Sequence, residues 1–243
     1  MRNLLSFIVC SLLISSCTPI TYHQIATLSS NSVFVDDNGR FLSEPLKDIS
    51  IEYDFWGTSG KVIFTITNNS NEDIYLDLQK SFYINNGYAY DMTVLTNVEL
   101  DNKDVISHIM WSANNPMVCI PANSRRAFGG FNVTPTVYRE CGFVRNPGYN
   151  EDAILRFSVT DSPIILENRL TFVINETSIP VNHLFYLSEI VNIAQNIVIK
   201  NESYRLNCKG INVYSPHTIY WMKASNRFYI PYSITNGDDD RVK

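Results

Sequence analysis

Short runs with a two-residue period, each closed by turn-forming residues, set the narrowest limit on this fold. In Lys61–Thr67, Val62, Phe64 and Ile66 point one way, while Lys61, Thr65 and Thr67 point the other, with Ile63 the exception. Successive side chains of a strand alternate between faces, so such a run suits a half-buried strand and no helix. Asn68 to Asp73 is a polar turn, after which Ile74, Leu76 and Leu78 resume the alternation. Two similar units lie nearby, and 32–90 reads as successive hairpins. Val33-Phe34-Val35 and Phe41-Leu42 flank a turn with Asn38-Gly39, and Ser81–Ile84 and Tyr88–Tyr90 flank Asn85-Asn86-Gly87. Asn-Gly supplies the positive φ that tight hairpin turns require.

The same signal returns later in the chain. Met117–Ile120 reads as a strand stopped by Pro121, followed by a strand over 125–133 and an irregular stretch over 135–147. Leu155, Phe157 and Val159 alternate, as do Leu170, Phe172 and Ile174. Residues 203–221 and 227–233 read as closing strands. Two segments are ambiguous. Residues 93–113 are expected to hold an excursion or a short helix around 104–111. Over 187–200 a helical apolar stripe competes with many β-branched residues, and the balance favours strand. The expected fold is all-β, an antiparallel sandwich of immunoglobulin-like or related type with extra strands and little helix. It forms a single domain over 33–235, ending in a polar tail over 236–243.

The N-terminus carries a different signal. Arg2 precedes an apolar run, Leu4 to Ile14, which is too short to cross a bilayer as a helix. Ser15 and Ser16 then lead to Cys17, and Ile14-Ser15-Ser16-Cys17 resembles the bacterial lipobox. Residues 1–16 are read as a lipoprotein signal peptide and Cys17 as the lipidated residue, because only a thiol at the cut is nucleophilic enough to take the lipid. Residues 17–32 follow as a tether. Thr18-Pro19-Ile20-Thr21 holds no acid, which favours the periplasmic face of the outer membrane over the cell surface.

Thr67 to Leu78, running on through Lys80-Ser81-Phe82-Tyr83-Ile84-Asn85-Asn86-Gly87-Tyr88-Ala89-Tyr90-Asp91, is similar to a stretch of uncharacterised Bacteroidetes lipoproteins, and Ile120–Ser124 is a fainter echo. The resemblance implies a β-rich envelope protein from that group. It implies no catalytic residue.

Few chemistries find support. The formal charge is −5, or −6 without Arg2, and Arg125-Arg126 is the one basic pair in the mature chain. Nucleic acid needs concentrated Lys and Arg, so it is not an expected partner. No Gly-x-Ser-x-Gly, His-Glu-x-x-His, Cys-x-x-Cys or EF-hand spacing occurs, so no catalytic residue, metal or cofactor is assigned. Gly57–Lys61 has lost the first glycine and last hydroxyl of a phosphate loop and reads as a turn. Asp73 and Asp77 read as solvated acids, and the four histidines are scattered. Cys119 and Cys141 either close a disulfide loop or stay as free thiols. Trp56 and Trp221, within aromatic clusters, are candidates for a sugar-stacking or protein-binding surface, against core packing as the plainer use. The expected function is non-enzymatic: a membrane-anchored module that recognises an envelope protein, with glycan binding or processing as the alternative.

Overall fold

The computed structural model describes residues 20–37, 39–94, 96–100, 105–109, 116–148, 152–206 and 209–234. The expected signal peptide over 1–16, Cys17, Cys208 and the tail over 236–243 lie outside them. The fold is an all-β antiparallel sandwich. One sheet runs β11 (Met117–Ile120), β6 (Ile74–Asp77), β14 (Ile165–Ile174), β15 (Thr177–Ala194), β1 (Thr21–Ser29), β18 (Arg227–Ser233). Strand β13 (Asp152–Arg156) joins it along β15, and the hairpin β7 (Phe82–Asn85) with β8 (Tyr88–Asp91) joins along β14. The facing sheet runs β10 (Val105–Ile109), β9 (Thr96–Leu100), β12 (Ser124–Asn132), β5 (Lys61–Asn68), β4 (Ile49–Asp54), β3 (Phe41–Leu46), β2 (Phe34–Val35). A separate two-stranded ribbon pairs β16 (Ile199–Leu206) with β17 (Asn212–Tyr220). No helix among the described residues is long and apolar enough to cross a membrane.

The core lies between the two large sheets. Leu28, Leu76, Leu166, Leu170, Phe172 and Phe185 meet Phe41, Ile51, Tyr53, Phe64, Ile66 and Phe128. Phe185 contacts the rings of Phe41, Tyr53 and Phe55 at centroid distances of 4.9, 4.9 and 5.2 Å. Phe64 stacks on its cross-strand partner Phe128 at 5.2 Å. Of these, Phe64, Ile66, Leu76, Leu170 and Phe172 are residues that the two-residue period turns inward.

Three expectations change and one open alternative is decided. The 17–32 tether ends early, because Thr21–Ser29 forms β1, paired with both β15 and β18. Ala26 and Leu28 belong to the main core, while Ile25 faces a smaller cluster on the other side. Buried His23 and Gln24 gave this strand its polar look. The Asn68–Asp73 turn closes no hairpin, since β5 and β6 lie in different sheets. It is an inter-sheet corner built on Asn68. The Asn68 amide donates to the carbonyls of Glu72, Ile120 and Pro121 and accepts from the amide and hydroxyl of Ser70. In place of the expected helix, 105–109 is a strand paired with β9. Cys119 and Cys141 are free thiols: one sits on a strand paired with β6, the other in an exposed turn.

Over 187–200 the strand reading holds through Ala194, where a single helical turn, Gln195–Val198, redirects the chain into β16. The Gly57–Lys61 segment is a turn leading into β5. At Gly60, φ is +70° and an added Cβ would stand 2.7 Å from Val133 Cγ2. Only glycine fits that combination without displacing Val133.

Candidate functional site

The described residues offer three places where function could reside: a buried polar network, a cavity under a loop, and the ribbon.

The network joins the two sheets. Asn168 on β14 and His183 on β15 are direct cross-strand partners. Tyr53 on β4 and Ser43 on β3 approach from the facing sheet. The Asn168 amide donates to the Tyr53 oxygen at 2.9 Å, Tyr53 OH lies 2.7 Å from His183 Nδ1, and Ser43 Oγ lies 2.7 Å from His183 Nε2. Serine beside histidine suggests a nucleophile and its base. The Tyr53 oxygen accepts from Asn168, and the His183 tautomer sets the direction of its bonds to Tyr53 and Ser43. A nucleophile and its base must reach a substrate, whereas Tyr53, Asn168 and His183 are all buried between the sheets. Burial lowers the His183 pKa to about 4 and raises that of Tyr53. The ring is therefore neutral at pH 7, and the four residues act as a polar clamp between sheets. None of them lines the cavity described next.

That cavity, about 270 Å³, lies between the 134–139 loop and the end of the large sheet, with Ala26, Leu187, Ile190, Phe228 and Ile230 among its walls. Small-molecule sites usually enclose about 300–1,000 Å³ with several convergent polar groups. Here the buried Gln24 amide is already committed. Gln24 Nε2 donates to the Tyr138 carbonyl at 3.1 Å and to Asn192 Oδ1 at 3.0 Å, and Gln24 Oε1 accepts from the Tyr138 amide at 2.7 Å. The glutamine pins the loop to the sheet as a second strand would. The cavity is therefore small and gathers no titratable cluster. Among the described residues no group of His, Cys, Asp or Glu could hold a metal ion.

The ribbon differs from both. Its base packs on the outer face of the large sheet, where Ile25, Val191, Ile193 and Val198 form a small apolar cluster flanked by Tyr220 and Tyr229. Tyr220 and Tyr229 stack at 5.0 Å with their hydroxyls 3.2 Å apart, and burial pushes the Tyr220 pKa up to about 12. Beyond the base, β16 and β17 pair only with each other among the described residues. Pro216 falls within the register shift between Glu202 and Tyr204, a position where a missing backbone donor is tolerated. Tyr204 and Tyr214 sit edge to face at 5.7 Å and are 59% and 72% exposed, with Ile211 exposed near the tip. Large apolar side chains on a strand pair without a covering layer are unusual for a soluble surface. Lys200, Arg205 and Lys209 outnumber Glu202 in this segment, against a chain of net charge −5.

The sequence-predicted residues are distributed unevenly around these places. Trp56 is half-buried at the ribbon base, with its ring 5.4 Å from Tyr220 at 73° and 5.2 Å from Tyr229 at 44°. Trp221 is 64% exposed just beyond β17. The two indoles make no described ring contact, and Trp56 packs steeply rather than forming a flat platform. Tyr53, Phe55 and Phe228 are core residues. Asp77 corrects the solvated reading. It is buried and caps the turn Leu78–Lys80 by accepting from the Gln79 and Lys80 amides. Asp73 accepts from the Ala122 amide. His23 is buried beside Tyr229, and the His108 and His217 side chains lie outside the described residues. Sequence reasoning passed over Tyr204 and Tyr214. The available signal was a closing hairpin that broke the inward alternation and collected basic residues. No protein-family model matches the chain, and no curated protein is similar to it.

Proposed function

We propose that this chain is a lipid-anchored module of a bacterial envelope, held through Cys17, that binds a protein partner along the β16–β17 ribbon. The observation that carries the reading is the exposure of Tyr204 and Tyr214 on strands with no further strand partner among the described residues. Unpaired strand edges accept an added strand, and tyrosines contribute contact area with little loss of side-chain freedom. The basic excess of the ribbon fits an acidic partner surface. The order of charge, apolar run, small residues and cysteine supports the anchor, and the absence of acid after Cys17 favours the periplasmic face of the outer membrane. The resemblance of the stretch through Asp91 to Bacteroidetes lipoproteins agrees with an envelope role.

A photo-crosslinking residue at Tyr214 tests this in living cells. The expected result is one discrete adduct that disappears with Tyr204→Ala and is missing when the crosslinker replaces Ile154, an exposed residue of the body. Adducts of equal intensity from both positions, or none, would overturn the reading. Trp221 supports a second reading, glycan stacking, since it stands exposed beside the ribbon base. Glycan binding lost in Trp221→Ala, with the crosslink absent, would favour that reading.

A further inference from the structure

The start of β1 fixes a geometric relation between the fold and the membrane. Only Thr18, Pro19 and Ile20 separate Cys17 from Thr21, the first residue of β1. Four Cα steps span at most about 14 Å when fully extended. Resting on the anchor reading of Cys17, we infer that the end of the large sheet around Ile20, Tyr22, Val144 and Tyr232 lies against the bilayer that holds the lipid. The corner around Glu72 and Asn175 is carried away from it.

The near end is built as one unit. Thr21 pairs with Ser233, and Tyr22 pairs with both Ala194 and Tyr232. Tyr22 stacks on Tyr232 at 5.7 Å. The loop that caps this end is tied down twice: Tyr232 OH donates to the Arg145 carbonyl at 2.5 Å, and Asn192 donates to the Val144 carbonyl at 3.0 Å. That fixation leaves Val144 51% exposed, close to the β1 start where Ile20 is 63% exposed. Apolar side chains exposed at the point of attachment suit a headgroup boundary, while Tyr22 is only 7% exposed and braces this end from within.

The opposite end is far along the same strand. β15 runs through 18 residues from Thr177 to Ala194, a contour of about 58 Å at strand rise. At its start, Asn175 donates to Glu72 at 2.8 Å, which joins the β14–β15 turn to the Asn68 corner. Strand curvature shortens the span below this contour, which is about four times the leash.

Cys141, an exposed thiol in the capping loop, provides the probe. The full lipidated chain carrying Cys119→Ser and Cys208→Ser is labelled at Cys141 with a fluorophore. It is then reconstituted in phosphatidylethanolamine and phosphatidylcholine vesicles containing nitroxide-headgroup lipid. A second chain carries Cys141→Ser and Asn175→Cys. The expected result is quenching several-fold stronger at 141 than at 175. Inserting about 12 Gly/Ser residues after Thr18, which adds roughly 20 Å of root-mean-square reach, reduces the 141 signal toward that of 175. Equal quenching at both positions in protein shown by mass to be lipidated overturns the orientation and leaves the anchor standing. Mature protein with an unmodified Cys17 overturns both. Hydrogen exchange of the unsubstituted lipidated chain gives the same comparison without labels, with protection on vesicles expected over 138–146 and not over 174–177.

Discussion

The sandwich body and the ribbon use the same residue types to opposite ends. In the body, Tyr53 is fully buried, its hydroxyl satisfied by Asn168 and His183, with Phe64 and Phe185 against its ring. In the ribbon, Tyr204 and Tyr214 touch each other and face solvent. The body spreads its aromatics through a core shared by two sheets. The ribbon rests on four buried aliphatic residues at its base. Burial of apolar area supplies most folding free energy, so stability is concentrated in the body and the exposed ribbon rings contribute little to it.

Phe185→Ala should produce the largest break between the two regions. It empties a ring site bordered by Phe41, Tyr53 and Phe55, and lost transfer energy plus cavity should remove about 3–5 kcal/mol in urea unfolding. Acid comes next. The folded pKa of His183 is about 4, below its value of 6.5 in an unfolded chain. Between those values the unfolded state binds more protons, so stability is full above pH 6.5 and falls as pH drops toward 4. The loss is about 3 kcal/mol at one pKa unit per 1.36 kcal/mol. Burial lowers the His23 pKa too, which adds a decline of the same sign. His183→Gln should flatten most of this slope in unfolding measured from pH 7.5 to 4.

These contrasts also show what was legible in the sequence. Alternation exposed β5, β6 and β14, because Val62, Phe64 and Ile66, then Ile74 and Leu76, then Leu170 and Phe172 face the core at every second position. It failed at β1, which is buried on both faces and carries His23 and Gln24 inside through contacts with distant partners. It failed at the Asn68 corner, since a polar turn between two alternating runs looks the same whether the next strand pairs with the last or crosses to the other sheet. The clamp had no local signature: Ser43, Tyr53, Asn168 and His183 meet only through sheet packing. Near the ribbon, Trp56 and Trp221 stood out by aromatic density, the first against the ribbon base and the second just beyond β17. Exposure then separated Trp221 from Trp56 and added Tyr204 and Tyr214, and exposure is a property of the tertiary fold.

The Asn68 corner sharpens the comparison at intermediate size. Asn68→Ala removes the donor to three carbonyls and the acceptor for Ser70. Groups left unpaired in a buried site should lower stability by about 2 kcal/mol, within the range of about 1–3 kcal/mol for a single orphaned group. Asn68→Asp retains the acceptor but loses the donors and places a carboxylate against three carbonyl oxygens, so it should be worse than alanine. Equal urea midpoints for the two variants would show that the corner is held by backbone pairing alone.

The smallest expected effect on stability is the most informative about function. Tyr204→Ala with Tyr214→Ala removes two exposed rings from strands outside the main core. Surface changes of this kind fall within about 0.5 kcal/mol, so the urea midpoint should stay close to that of the parent chain. Partner capture through the ribbon should fall sharply, because tyrosine truncations at an interface centre cost about 2 kcal/mol or more each. A double variant that loses several kcal/mol of stability would make these rings part of the fold, and the division between a stabilising body and a recognising ribbon would fail. A variant with parent stability and lost capture would locate recognition on the ribbon, apart from the core that holds it in place.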